Sequence, residues 1–367
     1  MSTVLTFSRI EPEGQRLLLT EIRKILREVG SHNVEIYNDR YWDWQYKDLP
    51  TGISFVYAAW DGDKIIGYFH VPVYQAFING QIQLIGNVQD VAVISDFRGM
   101  GVFRSLAEFA NQDLDAAELD FLYTFPNKSS IRTFRAYNNF SPICTLPSYF
   151  RPIDTGRMLQ QKSGLLGLAR ILGPVVDFLL NVFSKSISLD SISLDDVSVR
   201  RFTEIDESVE SVFREYGRSF SNHIIRDAAW LDWRYLRSVR GRHQILGLIE
   251  SGQVTAAVVL KEETIMNASA CVVMDFAFTN GKEKSLLYLI QNILRNPKNT
   301  EWDSSLMYIS GSSPFLASLK RLGFIHVPEF VNPRVLNLLG RSANQFSEES
   351  FIQKDNWLVT LGDWDVF

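Results

Sequence analysis

With 367 residues the chain is longer than one typical domain of about 100–200 residues, so two domains are expected. Hydrophobic residues at 46% and charged residues at 22% exclude a disordered chain, a collagen and a coiled-coil rod. The net charge of −5, from 37 Lys and Arg against 42 Asp and Glu, gives no general attraction to a phosphate backbone, and no nucleic-acid partner is expected. Cys144 and Cys271 stand in separate halves and cannot form a disulfide framework, and the histidines fall without ligand spacing, so no metal is expected. The first residues show no basic run followed by an apolar core. No signal peptide is read there, and the cytoplasm is the expected compartment.

In chain order, Val4–Ile10 is strand-like, and Pro12–Val29 repeats Leu17, Leu18, Ile22, Ile25 and Leu26 at helical spacing. Ile53–Ala59 and Lys64–Val73 form a hairpin over Asp61-Gly62-Asp63, and a turn at Asn79-Gly80 leads to a long strand Gln81–Val93. Gly101 to about Ala117 is helical, Phe121–Phe125 strand-like, and Ser129–Asn138 helical again. This mixture indicates an α+β, layered domain over residues 1–150. Residues 151–198 read as a linker. Within it Gly164–Phe183 is nearly all apolar, but Gly173-Pro174 breaks the run and Arg170 and Asp177 charge it. A helical linker packed on a core is expected, with membrane contact through 164–183 as the alternative.

The second half repeats the first. Asp43-Trp44-Gln45-Tyr46 recurs as Asp232-Trp233-Arg234-Tyr235, and Asp61-Gly62-Asp63 as Ser251-Gly252-Gln253. Asp90-Val91-Ala92-Val93 recurs as Asp275-Phe276-Ala277-Phe278, and Asn139-Phe140 as Gly323-Phe324. Four landmarks in one order at a nearly constant offset indicate two copies of one fold.

The sharpest local signal is a strand, Asp90-Val91-Ala92-Val93, feeding the loop Arg98-Gly99-Met100-Gly101, which opens a helix at Val102-Phe103. Main-chain amides in such a loop, with the positive end of the helix, suit a pyrophosphate, and two glycines let the backbone approach it. Neither a P-loop nor a dinucleotide fingerprint is present.

Here the chain resembles the GNAT superfamily of N-acetyltransferases, whose signature is a V-x-V strand followed by an Arg/Gln-x-x-Gly-x-Gly/Ala loop. Val91, Ala92, Val93, Arg98, Gly99, Met100, Gly101, Val102 and Phe103 carry the match, with Phe103 where Gly or Ala is usual. Asn127 after the next strand and Asn139-Phe140 closing the following helix match as well. The resemblance implies a tandem repeat of two GNAT-like domains, each a mixed, mostly antiparallel central sheet flanked by helices. Residues 1–150 would bind acetyl-CoA as cosubstrate, without a metal, and 199–367 would be a degenerate copy.

It further implies direct acetyl transfer to a small amine such as an amino sugar. A main-chain N–H near Val91–Val93 would meet the thioester carbonyl, and Asp90 would take the amine proton. Asp275 holds the equivalent place in a half without the glycine loop, so a structural role for both is the alternative. Phe134 stands where the family carries its proton-donating Tyr. Tyr137, one helical turn further along the same face, is the substitute, and the equal alternative is that it packs beside the strand edge while the thiolate takes its proton from water. In the second half the loop position falls on Glu283-Lys284-Ser285-Leu286 and the Tyr position on Leu319, so acetyl-CoA is not expected to bind there. Trp42, Trp44 and Tyr46 read as core in preference to pocket, and Arg132 and Arg135 as a solvated face in preference to a phosphate contact. The rival functions are a non-catalytic binding or scaffold protein of the same fold and a Fem-type aminoacyl transferase.

Overall fold

The computed structural model describes residues 5–11, 14, 18–28, 38–117, 119–128, 130–163, 175–178, 196–265, 267–296, 302–329, 332, 335–342 and 356–364. The chain begins with β1 (Leu5–Arg9) and α1 (Leu19–Glu28). A short helix Asp39–Trp42 then runs into a π-helical turn Asp43–Lys47. β2 (Ser54–Asp61), β3 (Lys64–Ile78), β4 (Gln81–Asn87) and β5 (Gln89–Val93) follow, then α2 (Val102–Ala116), β6 (Phe121–Thr124), α3 (Ile131–Tyr137) and β7 (Ser141–Leu146). Next come β8 (Ser148–Pro152), α4 (Thr155–Ser163), β9 (Val197–Phe202), α5 (Glu207–Gly217) and β10 (Asn222–Ile224). Helix Ala228–Leu231 again runs into a π-helical turn, Asp232–Leu236, before β11 (His243–Glu250), β12 (Gln253–Ile265), β13 (Ala268–Phe278) and α6 (Glu283–Arg295). β14 (Leu306–Ser310), a 3-10 helix Pro314–Leu322, β15 (Ile325–Val327), β16 (Leu336–Ser342) and β17 (Trp357–Leu358) complete the order.

The repeat is realised in backbone detail. Both D-W-x-Y motifs form π-helical turns. Gly62 and Gly252 take positive φ in the two hairpins, and Asn139 and Gly323 take positive φ at the same corner, Asn being the non-glycine residue that best tolerates it. Each long strand carries an irregularity beside its Asp, one between Tyr68 and His70 opposite β5, the other between Val259 and Leu260 opposite β13.

Two compact units result, residues 1–145 with 336–356 and residues 146–335 with 357–367. The sheet of the first unit runs β1-β2-β3-β4-β6-β16-β7, with β5 also on β3, and that of the second runs β15-β8-β14-β13-β12-β11-β9. Where the sequence suggested contiguous domains at 1–150 and 199–367, the units are discontinuous because two strands are exchanged. β8, from the first half, lies between β15 and β14, and β16, from the second, lies between β6 and β7. Among the described pairings, β4 with β6, β13 with β14 and β10 with β17 are parallel. α2 buries Leu106, Ala107, Ala110 and Leu114, and α6 buries Leu286, Leu287 and Ile290. Gly164–Phe183 lies outside the described residues except for 175–178, which are helical. Among the described residues no helix is long and apolar enough to cross a membrane.

Gly340 marks how tightly β16 is held in the first unit, since an added Cβ would run into Phe121 on β6 and come within 2.7 Å of Ile143 on β7. Gly340→Val is expected to destabilise this unit by roughly 1–3 kcal/mol through overpacking. A urea-unfolding midpoint equal to that of the parent protein would contradict the assigned register.

Candidate active site

The site starts where two parallel strands part. β4 pairs with β6 through Ile85–Phe121, Gly86–Leu122 and Asn87–Tyr123. Val88 N–H still donates to the Tyr123 carbonyl at 2.8 Å, and the Thr124 hydroxyl donates to the Val88 carbonyl at 2.8 Å. There β6 ends, while β5 continues on β3 through Tyr68–Ala92 and Gly67–Val93. On the side of Val91–Val93 that faces away from β3, no strand pairs among the described residues. Asp90 stands at the parting with φ +50°, a left-handed conformation that few non-glycine residues accept.

The strand then delivers the loop. Arg98 Nε donates to the Val93 carbonyl at 3.0 Å, tying the loop to the strand end. Gly99 and Gly101 take φ +78° and +83°, and a Cβ on either would meet nothing within 4 Å, so the turn is bare and open. Gly101 precedes α2, whose first turn has no side-chain cap. First-turn amides have no acceptor within a helix, which leaves this start electropositive. Met100 is exposed beside it.

The downstream residues divide. Phe134 is buried, edge-on to Phe103 at 5.9 Å and to Phe140 at 5.5 Å, so the two aromatic departures from the family pattern pack on each other. Tyr137 is exposed, with the Arg104 guanidinium of the first turn of α2 over its ring at 5.6 Å. Asn127 Oδ1 accepts from the Ser130 N–H and hydroxyl at 3.0 Å each and so leads into α3. Arg132 and Arg135 lie away from Phe134 on α3 and line an open cavity of about 810 Å³ with Lys128. Trp42, Trp44 and Tyr46 are core residues, as expected.

Asp90 is drawn into a buried polar cluster that the sequence did not disclose. Its side chain is only 7% exposed and Oδ2 lies 3.8 Å from Nδ1 of fully buried His70. The Tyr46 ring stacks on the imidazole at 3.8 Å and Trp42 stacks on Tyr46 at 3.8 Å, while the Tyr46 and Tyr68 hydroxyls share a hydrogen bond. Burial pushes both phenols well above their ordinary pKa. Burial pushes His70 down, opposed by Asp90. The only trace of this cluster in the sequence was that His70 and Asp90 fall on strands that pair.

The second unit resolves the same place differently. β13 and β14 pair from Ala270–Leu306 to Val273–Ile309 and part before Asp275. Residues 359–363 fill the parting. Gly311 bridges to Thr360, Ser312 N–H donates to the Val359 carbonyl at 2.9 Å, and an added Cβ on Gly362 would meet Tyr235 and Asp275. Arg226 binds Asp275 at 2.7 Å and Asp363 at 2.8 Å, and Tyr235 donates to Asp275 at 2.9 Å. Leu319, at the Tyr position, is fully buried.

In the first unit the parting of β4 from β6, a bare two-glycine turn and a helix start without a side-chain cap follow one another along the chain. Residues 21–141 match the family model described as acetyltransferase (GNAT) domain. That match lies within the first unit. Among solved structures, a probable N-acyltransferase of unknown function from Enterococcus faecalis matches at 12% identity and TM-score 0.65, over 93% of this chain and 73% of that one. A GCN5-related N-acetyltransferase from Anabaena variabilis matches at 10% identity and TM-score 0.60, over 93% and 73%. Saccharomyces cerevisiae N-myristoyltransferase with bound myristoyl-CoA matches at 12% and 0.58, over 93% and 79%. These likenesses show the fold, and they run through both units. No curated protein matches the chain by sequence. Among the described residues no group of His, Cys, Asp and Glu is arranged to hold a metal ion.

Three histidines held neutral by burial give a pH dependence. His223 is pushed down to about 4 by burial and by Arg226, and His70 and His243 are pushed down by burial. An unfolded chain protonates histidine near 6.5, so below that pH it binds more protons than the folded one, and stability is lost as pH falls. The slope is expected to approach about 1.4 kcal/mol per pH unit for each histidine. Urea unfolding at pH 7.5 and 5.5 measures it, and equal stabilities would contradict the burial of these rings.

Proposed function

We propose that the chain is an acyl-CoA-dependent N-acyltransferase that transfers acetyl from acetyl-CoA to a small amine such as an amino sugar. The observation that carries this reading is the succession, in the GNAT domain, of an open strand parting and a bare glycine turn at an uncapped helix start. A CoA thioester needs both features in this order, a slot bordered by main-chain donors for the acyl end and an anion site for the pyrophosphate. The residues fit it, because no side chain enters the space over Gly99 and Gly101.

In this reading the amides of Arg98 to Phe103 hold the pyrophosphate, and Val91, Ala92 and Val93 offer their open edge to the pantetheine arm and thioester carbonyl. Asn127 stands at the far side of the slot. The bound thioester supplies the activated acyl group. A main-chain N–H of the Val91–Val93 edge steadies the oxyanion as the amine attacks, and Asp90 takes the amine proton. Tyr137 gives a proton to the departing sulfur. Holding the two reactants side by side supplies much of the acceleration and needs no covalent enzyme intermediate.

One observation favours a second reading, a CoA-binding protein without turnover: the buried Phe134 at the position where the family carries a Tyr. Thiol release from acetyl-CoA across a panel of amines separates the two. An aminoacyl transferase acting with RNA is disfavoured by the net charge of −5.

Gly101→Glu puts bulk and negative charge into the anion site, and the folded variant is expected to bind acetyl-CoA at least about 100-fold more weakly by isothermal titration. Unchanged affinity would remove the loop from the site. Because residues 359–363 fill the parting of the second unit, the same titration on the unaltered protein is expected to give one site per chain. Two sites would show that the filled copy also binds.

A further inference from the structure

The Asp90–His70 cluster carries a further step, and it rests on the acyl-transfer reading. The orientation of two side-chain amides assigns a tautomer to the imidazole. Asn87 Nδ2 donates to Gln89 Oε1 at 3.1 Å, which leaves the Gln89 amide nitrogen facing His70 Nδ1 at 3.3 Å. An amide nitrogen only donates, so Nδ1 is the acceptor and carries no proton. The ring proton is therefore on Nε2, which donates to the Ser54 hydroxyl at 2.8 Å. Ser54 is half-buried at the start of β2, whereas Asn87, Gln89 and His70 are buried.

Two acceptors consequently face each other across 3.8 Å, the Asp90 carboxylate and the Nδ1 lone pair. That gap is too long for a hydrogen bond and has the place of one missing proton. The titratable groups facing the imidazole are Asp90, Tyr46 and Tyr68. In the second unit the Asp of the same position is bound to Arg226 and Tyr235, so no such gap exists there.

We infer that His70 is a positioning residue that completes a proton-holding pair with Asp90 during acyl transfer. When the amine nitrogen bonds to the acyl carbon, its N–H bond breaks and the proton goes to the Asp90 carboxylate. The Nδ1 lone pair then accepts a hydrogen bond from the protonated carboxyl, and the gap closes. When the carbon–sulfur bond breaks, the thiolate gains a proton from Tyr137, which recovers one through solvent from the Asp90–His70 pair. The cycle returns each group to its starting state, and Nε2 keeps its proton, hydrogen-bonded to the Ser54 hydroxyl, throughout. Burial disfavours a full imidazolium, so the pair holds the proton without trapping it.

The first test needs no substrate. Long-range ¹H–¹⁵N correlation of the histidine side chains in the full chain, assigned with His70→Gln, reports which nitrogen is protonated. The expected result is a neutral ring protonated on Nε2 at pH 7, with a titration midpoint that falls further in Asp90→Asn. Protonation on Nδ1, or a midpoint indifferent to Asp90→Asn, overturns the pairing. The second test is thiol release from acetyl-CoA with an amine panel. His70→Gln is expected to lower kcat by roughly 10- to 100-fold, leave the KM for acetyl-CoA unchanged and move the acid limb of the kcat–pH profile. Thiol release by the unaltered protein that His70→Gln leaves intact overturns this step alone. Absence of thiol release from the unaltered protein with every amine overturns the acyl-transfer reading and this step with it. Should His70→Gln fail to fold, the tautomer in the unaltered protein still decides the pairing.

Discussion

Parallel strands that part expose main-chain N–H and C=O groups along their facing edges, and leaving such a group buried without a partner costs about 1–3 kcal/mol. Both units of this protein meet that constraint at one position, directly after a strand irregularity beside an aspartate. The second unit meets it with its own chain. Val359 and Thr360 supply backbone partners to Ser312 and Gly311, and Arg226 pairs with both Asp275 and Asp363. In the first unit no strand among the described residues pairs with Val91–Val93 on the side away from β3, and the loop that follows is bare.

The same contrast explains why the shared aspartate need not mean a shared role. Asp275 is fully buried, ion-paired and hydrogen-bonded to a tyrosine from the π-helical turn. Removing one partner from such a set would leave an uncompensated charge, which makes it structural cement. In the first unit the corresponding tyrosine, Tyr46, bonds to Tyr68, and Asp90 turns to a neutral imidazole. The scaffold is retained while the partners of the aspartate change from an arginine and a tyrosine to an imidazole.

Much of this was legible in the sequence for definite reasons. Hairpin turns at Gly62 and Gly252, the glycine loop and the D-W-x-Y motifs are local signals, and each holds its place in the structure. The helix Gly101–Ala117 was placed within one residue at either end, since it has one clear apolar face and a glycine before it. The unit boundaries were not legible. Exchange of β8 and β16 depends on which sheet edge a strand reaches, and both strands carry ordinary strand sequences. The filling of the second parting was equally hidden, because residues 357–363 lie more than eighty residues from Asp275 and bear no motif. His70 was passed over for the same reason. Its partners come from β2 and β5, and only register brings them together.

The aromatic departures from the family pattern fall into place once the packing is seen. Phe103 and Phe134 are unusual one at a time, but they are edge-on neighbours, with Phe140 behind them. A tyrosine at 134 would bring its hydroxyl into an apolar contact, and an unpaired buried hydroxyl is costly. The bulky residue at 103 thus removes the place for a phenol at 134. It leaves the exposed side of α3 to present one, and Tyr137 is on that side, its ring under the guanidinium of Arg104.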